Sequence, residues 1–407
     1  METSVVAPKS ITKKTKTRGA AAVRDKNFAE FFAGIGLVGL GLKDSGWQCI
    51  YANDIDPKKH EIFAKNFANH QVYDQRDVWE TEAIASQLES PHFLATASFP
   101  CIDLSLAGHG RGFDGKHSST FFGFTKVVER LGDNSPKVIL VENVPGFISS
   151  KSGADFRVAC SELAKLGYWL DAFVLDARSF VPQSRQRVFI IGVHESVNTE
   201  LITKQMPDSI LDPWTLRLNE QPAIRPNSLV RLMESTQLPR TGWATTNIVV
   251  PNQKSYSLQK FIDSREKQTY WNEEDTLKHF NMLSERHRDL VVEYMDSGEE
   301  IIGTGYRRKR GGSTKLEVRF DGIAGCLRTP RGGSARQIVV CISKGKFQIR
   351  WMSPREYASL QGANQFKMLE NDRQMLFGFG DAVCVPVIKW IDDCVLSPLY
   401  DEYRKSI

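Results

Sequence analysis

The chain has 407 residues, 41% of them apolar and 25% charged, and a formal net charge of +5. This length is enough for two domains with a substantial core, and no apolar run approaches the roughly 18 residues of a membrane span. Seven cysteines without a Cys-x-x-Cys pair or a Cys/His cluster point to a reducing, cytoplasmic setting and away from structural zinc or another metal site.

Residues 1–27 hold seven Lys/Arg against two acidic residues and show no helical or strand periodicity. They are expected to form a basic disordered tail, without the apolar segment of a secretory signal. The first strand is read at Phe31, and Phe32-Ala33-Gly34-Ile35-Gly36 carries it through a glycine turn into a helix. Glycines there let the backbone turn tightly and approach a ligand. The next strand, Cys49-Ile50-Tyr51-Ala52-Asn53, ends at Asp54, where a carboxylate can meet ribose hydroxyls. The pattern alone admits a nicotinamide cofactor, S-adenosylmethionine, or a turn without a ligand. A helix is expected from Asp56-Pro57 to Phe67.

The apolar run from Phe93 to Phe99 reads as a buried strand and leads into Pro100-Cys101-Ile102-Asp103-Leu104-Ser105. A cysteine beside a proline at a strand end sits on a stiff turn. A thiol of pKa ~8.5 is only about 3% thiolate at neutral pH, yet thiolate is a strong nucleophile. Cys101 is therefore a candidate covalent catalyst, with simple packing as the other reading. Residues 106–120, rich in Gly and Ser, suit a closing loop. Strands at Val138 to Val141 and Val188 to Val193 each abut a polar cluster: Glu142-Asn143-Val144-Pro145, and Pro182-Gln183-Ser184-Arg185-Gln186-Arg187. Glu142 could hold a heterocycle nitrogen, and two arginines at i and i+2 point the same way on an extended segment. Solvated surface roles are the alternative for each. A further helix is expected from Asp155 to Leu166, stopped by Gly167.

From about Ser196 to Ile349 the pattern turns irregular. Within it, residues 303–355 hold thirteen Lys/Arg and two acidic residues, a local +11, so the rest of the chain beyond the tail is near −11. Such concentration is an electrostatic footprint for a polyphosphate. Arg328, Arg331 and Arg336 lie among glycines and could reach base edges, whereas Arg307-Arg308-Lys309-Arg310 is denser and suits phosphates.

Taken in this order, the segments resemble the cytosine-C5 DNA methyltransferase family, of the prokaryotic modification type. Phe32-Ala33-Gly34-Ile35-Gly36 is similar to its first motif, Asn53-Asp54-Ile55-Asp56 to its ribose clamp, and Arg76-Asp77-Val78 to the loop that meets adenine. Pro100-Cys101 is similar to the nucleophile motif, Glu142-Asn143-Val144 to the family's E-N-V, and Gln183-x-Arg185-x-Arg187 to its Q-x-R-x-R. Ser353-Pro354-Arg355-Glu356 and Gly380-Asp381-Ala382-Val383 resemble the late motifs usually written T-P-R-E and G-N-A-V. The resemblance covers residues 28–195 and 350–407. Two positions depart from it: the run after the nucleophile loop lacks the usual Arg, and Asp381 stands where Asn is common.

The resemblance implies an α/β fold, a doubly wound and mostly parallel sheet of the Rossmann-like S-adenosylmethionine-dependent methyltransferase type. The catalytic domain would be discontinuous (28–195 and 350–407), with a smaller, irregular target recognition domain inserted at 196–349. Phe32, Ala33, Gly34, Ile35, Gly36, Asp54, Ile55, Asp77, Val78, Pro100, Asp381 and Val383 would bind S-adenosylmethionine. Cys101 would attack C6 of a flipped-out cytosine in duplex DNA, Glu142 would hold ring N3, Arg185 would hold the base carbonyl or the Cys101 loop, and Arg187 would support it. The implied protein is a monomer, nucleoid-associated, with a restriction endonuclease as possible partner. An RNA cytosine methyltransferase of the same fold, a non-catalytic DNA-binding relative and a nicotinamide oxidoreductase are the alternatives.

Overall fold

The computed structural model describes residues 23–100, 113, 119–206, 212–262, 270–330 and 335–407. Cys101, most of the closing loop, Arg331 and residues 1–22 lie outside the described residues.

A seven-stranded sheet runs in the order β3-β2-β1-β4-β5-β7-β6. Its strands are β1 (Asn27–Phe31), β2 (Gln48–Asn53), β3 (Tyr73–Asp74), β4 (Leu94–Ala97), β5 (Val138–Asn143), β6 (Tyr168–Asp176) and β7 (Gln186–His194). Strands β3, β2, β1, β4 and β5 pair in parallel, and β7 is antiparallel to both of its neighbours. The chain goes from β1 to β2 on one side and returns to β4 on the other. The β1 and β4 ends thus flank the topological switch point, where open α/β sheets bind ligands.

Both faces of the sheet are covered, and the strands alternate between the two cores with a period of two. On one face, Phe28, Leu94, Val138 and Leu140 pack with Met352, Tyr357, Phe379, Ile388 and Leu396 of the C-terminal segment. On the other, Ala29, Phe31, Ala95, Ile139 and Val141 pack with Phe121, Phe124, Phe156 and Trp243. The last fifty-odd residues therefore complete one whole face of the seven-stranded sheet. The join is specific: Trp47 Nε1 donates to Asp392 Oδ1 (2.8 Å) across 345 residues.

Three expected boundaries move. The ordered chain begins before residue 27. Val23 is buried, its N–H donates to the Tyr403 hydroxyl (3.2 Å), and Lys26 stacks its ammonium on Trp47 and Tyr400. The insertion does not start at 196. Trp214, Leu218, Leu229, Met233 and Trp243 belong to the catalytic core, and the fully buried Arg225 pairs with both oxygens of Asp171 on β6 (3.0 and 2.8 Å), one of which, Oδ2, also accepts from Thr246. A two-stranded antiparallel ribbon of β8 (Ile202–Lys204) and β9 (Ala244–Thr246) lies beside that layer. The separate unit starts near residue 270, and it is not irregular. Helices Glu273–Phe280 and Glu285–Ser297 pack on a four-stranded antiparallel sheet, β11 (Ser313–Arg319), β10 (Ile301–Arg310), β12 (Gln337–Ser343) and β13 (Lys346–Trp351), in the order β11-β10-β12-β13. Its own core gathers Leu283, Val291, Leu316, Ile338, Val340 and Ile349. Arg350 ends inside β13, not in the catalytic domain, and its guanidinium forks onto Glu356 (2.9 and 2.6 Å). Glu356 also closes a capping box with Ser353 at the helix Pro354–Leu360, so Ser353-Pro354-Arg355-Glu356 is a helix start locked to the strand before it.

The ends of the central strands away from the switch point bury a histidine near a lysine. His92, just before β4, is fully buried near Lys137, just before β5. Burial, with the Lys137 charge adding to it and a backbone hydrogen bond at Ser90 opposing, pushes the imidazole down to about 4. The folded state thus binds fewer protons than the unfolded chain between that value and about 6.5. Stability should be fully present above pH 6.5 and fall as pH drops towards 4, by up to ~3 kcal/mol from this group. Calorimetric melting of the wild type and of His92→Leu between pH 4 and 7.5 checks this. The variant should show the shallower acid slope, and equal slopes would remove His92 as the cause.

Candidate active site

The glycine turn is built by backbone conformation and held by its neighbours. Phe32, Gly34 and Gly36 have φ of 56°, 58° and 83°. At Gly36 a Cβ would lie 2.6 Å from the Phe67 ring and 2.7 Å from the Phe63 ring, so only glycine lets the helix Leu37–Leu42 start against those aromatics. Asp54, at the end of β2, accepts from the Gly34 N–H (3.0 Å, Oδ2) and the Asp56 N–H (3.0 Å, Oδ1). The Tyr73 hydroxyl donates to the Gly34 carbonyl (3.0 Å). Turn and carboxylate therefore form one rigid corner, with Ile55 exposed next to it and Ala33 and Ile35 buried beneath.

Asn53 organises the neighbouring loop. Its Nδ2 donates to the carbonyls of Asp74 (3.1 Å) and Arg76 (2.9 Å), which sets the position of Asp77 and the buried Val78. Asp77 accepts from the Trp79 N–H (3.1 Å). At the other side of the corner, Asp381 ends the helix Asp372–Asp381, and Val383 beyond it is buried. The Lys59 ammonium stands between the two carboxylates, 3.3 Å from Asp54 and 3.8 Å from Asp381. A cavity of about 500 Å³ opens there, lined by Lys59, Ile62, Phe377 and Asp381 among others.

Two residues of this corner are missed by sequence reasoning. One is Lys59, hidden as an ordinary helix lysine. The other is Glu30, a buried carboxyl in β1 that accepts from the Gly39 N–H (3.2 Å) at the start of the helix Leu37–Leu42. Burial above all, with the Asp54 charge adding to it, raises its pKa to about 8 against the pull of the Gly39 and Val38 N–H groups. An acidic residue inside an apolar strand was the available signal.

At the β4 and β5 ends, Asn143 Nδ2 donates to the Phe99 carbonyl (3.1 Å) while its Oδ1 accepts from the Val144 N–H (2.8 Å). This fixes the backbone directly ahead of Pro100. Phe99 packs on Phe113, Phe121 and Phe147. Glu142 lies beside it, and Arg187 Nε reaches its Oε1 at 2.8 Å. That contact follows from sheet register, since Glu142 and Arg187 sit on adjacent strands two residues apart in the pairing.

The hydrogen bonds of Arg185 run to other groups than Glu142. Arg185 precedes β7, in an irregular segment where strand alternation does not hold, and its own N–H is taken by Asp176 (2.8 Å). Its buried guanidinium donates to the carbonyls of Leu327 (2.7 Å), Ala382 (2.5 Å) and Gly380 (3.4 Å) and touches Cys326 Sγ (3.5 Å). Gln183 works alongside, donating to the Leu360 carbonyl (2.7 Å) and accepting from the Leu327 N–H (3.2 Å). Gly380 comes so close to this segment that a Cβ would meet Thr329 N at 2.5 Å.

The basic segment is split by the two faces of its sheet. Arg307 and Arg336 both stack on Trp351, with guanidinium carbons 4.8 and 5.2 Å from the ring, and Arg336 also donates to the Met352 carbonyl (3.4 Å). Arg308 and Arg310 point to the opposite face and are exposed, with Arg310 paired to Glu317 (2.9 Å). Arg328 is exposed next to the Arg185-bound Leu327.

Among the described residues no helix is long and apolar enough to cross a membrane. The family model for C-5 cytosine-specific DNA methylases matches residues 26–395. The Type II methyltransferase M.HhaI of Haemophilus parahaemolyticus is 30% identical over 174 residues, a match covering 42% of this chain and 50% of that protein. The chain thus spans about half the length of that relative. M.HpaII of Haemophilus parainfluenzae is 24% identical over 400 residues, covering 94% of this chain and 92% of that one. The solved structure of the S. pombe Dnmt2 methyltransferase superposes with a TM-score of 0.57 at 16% identity, covering 92% of this chain and 99% of that one, a likeness of fold. With motifs, topology and a match running from the edge of β1 almost to the C-terminus, the chain belongs to the C-5 cytosine-specific DNA methylase family.

Proposed function

We propose that the protein is a DNA (cytosine-5) methyltransferase of the prokaryotic modification kind, acting on a flipped-out cytosine through a covalent Cys101 adduct. One observation carries the reading. Glu142, held by Arg187, stands next to Asn143, which anchors the backbone leading into Pro100-Cys101, and the whole assembly borders the switch point beside the Asp54 corner.

The corner residues suit the methyl donor. The Gly34–Gly36 turn offers backbone without side chains, Asp54 offers a carboxylate for ribose hydroxyls, Ile55 and Phe32 offer apolar surface for an adenine ring, and Asp381 offers an acceptor for an ammonium. S-adenosylmethionine bound there supplies an electrophilic methyl group to cytosine C5. Cys101 adds its sulfur to C6, which breaks the aromaticity of the ring and makes C5 enamine-like. Glu142 hydrogen-bonds at ring N3 and stabilises the charge that develops there, and Arg187 fixes the carboxyl's direction. A water then takes the C5 proton and Cys101 leaves. A stacked duplex exposes neither ring face, so the base must leave the helix. Arg185 serves as a positioning residue that keeps the small unit seated against the catalytic edge. The working unit is taken as a cytoplasmic monomer on duplex DNA, with a cognate restriction endonuclease as possible partner. Transfer of a labelled methyl group to duplex DNA, compared with transfer RNA, tests the activity and separates it from the RNA reading.

Cys101→Ser should lose nearly all methyl transfer and keep DNA binding, because a hydroxyl is a far weaker nucleophile at neutral pH. A 5-fluorocytosine duplex should trap the wild type, and mass spectrometry of the trapped peptide must find Cys101. Adduct on Cys49, Cys160 or Cys326 would refute the assignment.

Asp54→Ala should weaken binding of the methyl donor by ~1–3 kcal/mol, the cost of leaving ribose hydroxyls and the Gly34 N–H unpartnered. Isothermal calorimetry reads this directly, and an unchanged affinity would remove Asp54 from the site.

The arginines should divide by what they touch. Arg328→Ala should cost about 1–3 kcal/mol on the cognate duplex and much less on scrambled DNA. Arg308→Ala and Arg310→Ala should weaken all sequences alike and lower the salt slope by about 0.9 for each phosphate no longer neutralised. Titrations at several salt concentrations decide between them. Equal losses for Arg328→Ala on both duplexes would leave it a phosphate-binding residue.

A further inference from the structure

The donor corner contains a cation of its own. Lys59 is the third residue of the helix Pro57–Asn66, which starts directly after Asp54 with Asp56 as its N-cap. Its chain lies beside the glycine turn, so that a Cβ on Gly34 would come 4.0 Å from Lys59 Cδ. Its ammonium is 3.3 Å from Asp54 Oδ2, the oxygen that also takes the Gly34 N–H, and 3.8 Å from Asp381 Oδ2. These are the two carboxylates assigned above to the donor's ribose and ammonium groups.

We propose that Lys59 is a built-in counter-cation of the donor pocket. It bridges Asp54 and Asp381 when no donor is bound, gives way when the donor enters, and thereby sets how the pocket ranks the cationic donor against its neutral-sulfur product. The inference rests on the donor-site reading given above. It also accounts for a departure noted in the sequence. A carboxylate at position 381, where the family usually carries an amide, is tolerated because a lysine in the same chain meets its charge. Burial by itself would weaken the Lys59 ammonium, but Asp54 and then Asp381 outweigh it and hold its pKa above the ordinary value.

The consequence follows from charge. S-adenosylmethionine brings an α-ammonium and a sulfonium, whereas S-adenosylhomocysteine keeps the ammonium and has an uncharged sulfur. Both must take the acceptors that Lys59 holds, so both compete with it. Displaced but tethered by its own four-carbon chain, the lysine remains close enough to repel the sulfonium, a penalty the product does not bear.

The test is calorimetric binding of each ligand to the full chain, without turnover. Lys59→Met keeps an unbranched side chain and its helix propensity while removing the charge. The donor should bind about five- to tenfold tighter and the product about two- to threefold tighter, so the donor-to-product affinity ratio rises. Lys59→Arg, which keeps the charge, should retain the wild-type ratio. This second variant preserves the test if Lys59→Met fails to fold, because a donor-to-product ratio that departs from the wild-type value in Lys59→Arg, with the charge kept, would contradict a charge effect. Weaker binding of both ligands to Lys59→Met would mean that Lys59 contacts the bound ligand, and an unchanged ratio would mean that it is a bystander. Either result overturns the inference. A wild-type chain that binds neither ligand would remove the donor-site reading itself, and the inference with it.

Discussion

The Arg185 guanidinium is the junction on which the assembly of this chain depends. It is buried, and its two terminal nitrogens donate to carbonyls from two distant segments: Leu327, where the chain leaves the small unit's β10–β11 hairpin, and Gly380 and Ala382, in the late motif. A buried charge left without partners costs several kcal/mol, so this position tolerates only an arrangement in which all three segments are present and aligned. Gln183 repeats the logic with a neutral side chain, joining Leu327 to Leu360. Even the backbone contributes, since Ser184 N–H donates to Ala324 (2.9 Å) and Ala324 N–H donates to Pro182 (2.7 Å). A run that reads as a pair of base-holding arginines thus combines two jobs. Arg187 meets Glu142, and Arg185 ties the small unit and the C-terminal segment to the end of the sheet.

That junction explains how a discontinuous domain can present one coherent site. The corner around Asp54 draws on β1, β2 and the helix after β2, but its far wall is Asp381, more than three hundred residues later. The catalytic edge draws on β4, β5 and β7. All of these meet around one switch point, because the parallel strands deliver their carboxyl ends to one side and the antiparallel β7 begins on that same side. The charge balance of the corner is local as well. Glu30, Asp54 and Asp381 would crowd negative charge into a small volume. The chain answers with burial that keeps Glu30 protonated near neutral pH and with Lys59 between the other two.

The small unit follows a different plan. Its sheet has one face against two helices and another towards the catalytic layer, where Val339 joins the catalytic core. Strand alternation then sorts a single basic run into different tasks. Arg307 packs on Trp351 together with Arg336, while Arg308 and Arg310 stay in solvent. A dense positive segment is therefore part scaffold and part exposed charge.

Much of this was legible from residues alone, for a physical reason. Glycine turns, caps and apolar alternation are local, and each is encoded within a few neighbouring positions. The turn at Gly34 and Gly36, the carboxylate ending β2, the helix begun by Asp56-Pro57 and the Glu142-Asn143-Val144 strand end all stand where the sequence places them. What only the tertiary structure decided is which distant groups share a partner. Sequence spacing makes Arg185 and Arg187 equivalent, yet one ends on backbone carbonyls and the other on Glu142. Lys59 reads as one more helix lysine until Asp381 is folded next to it. Residues 196–262 look like part of the insertion until Asp171 pairs with Arg225. Hydrogen bonds and ion pairs at this range depend on how layers pack, and no window of the sequence contains both ends of them.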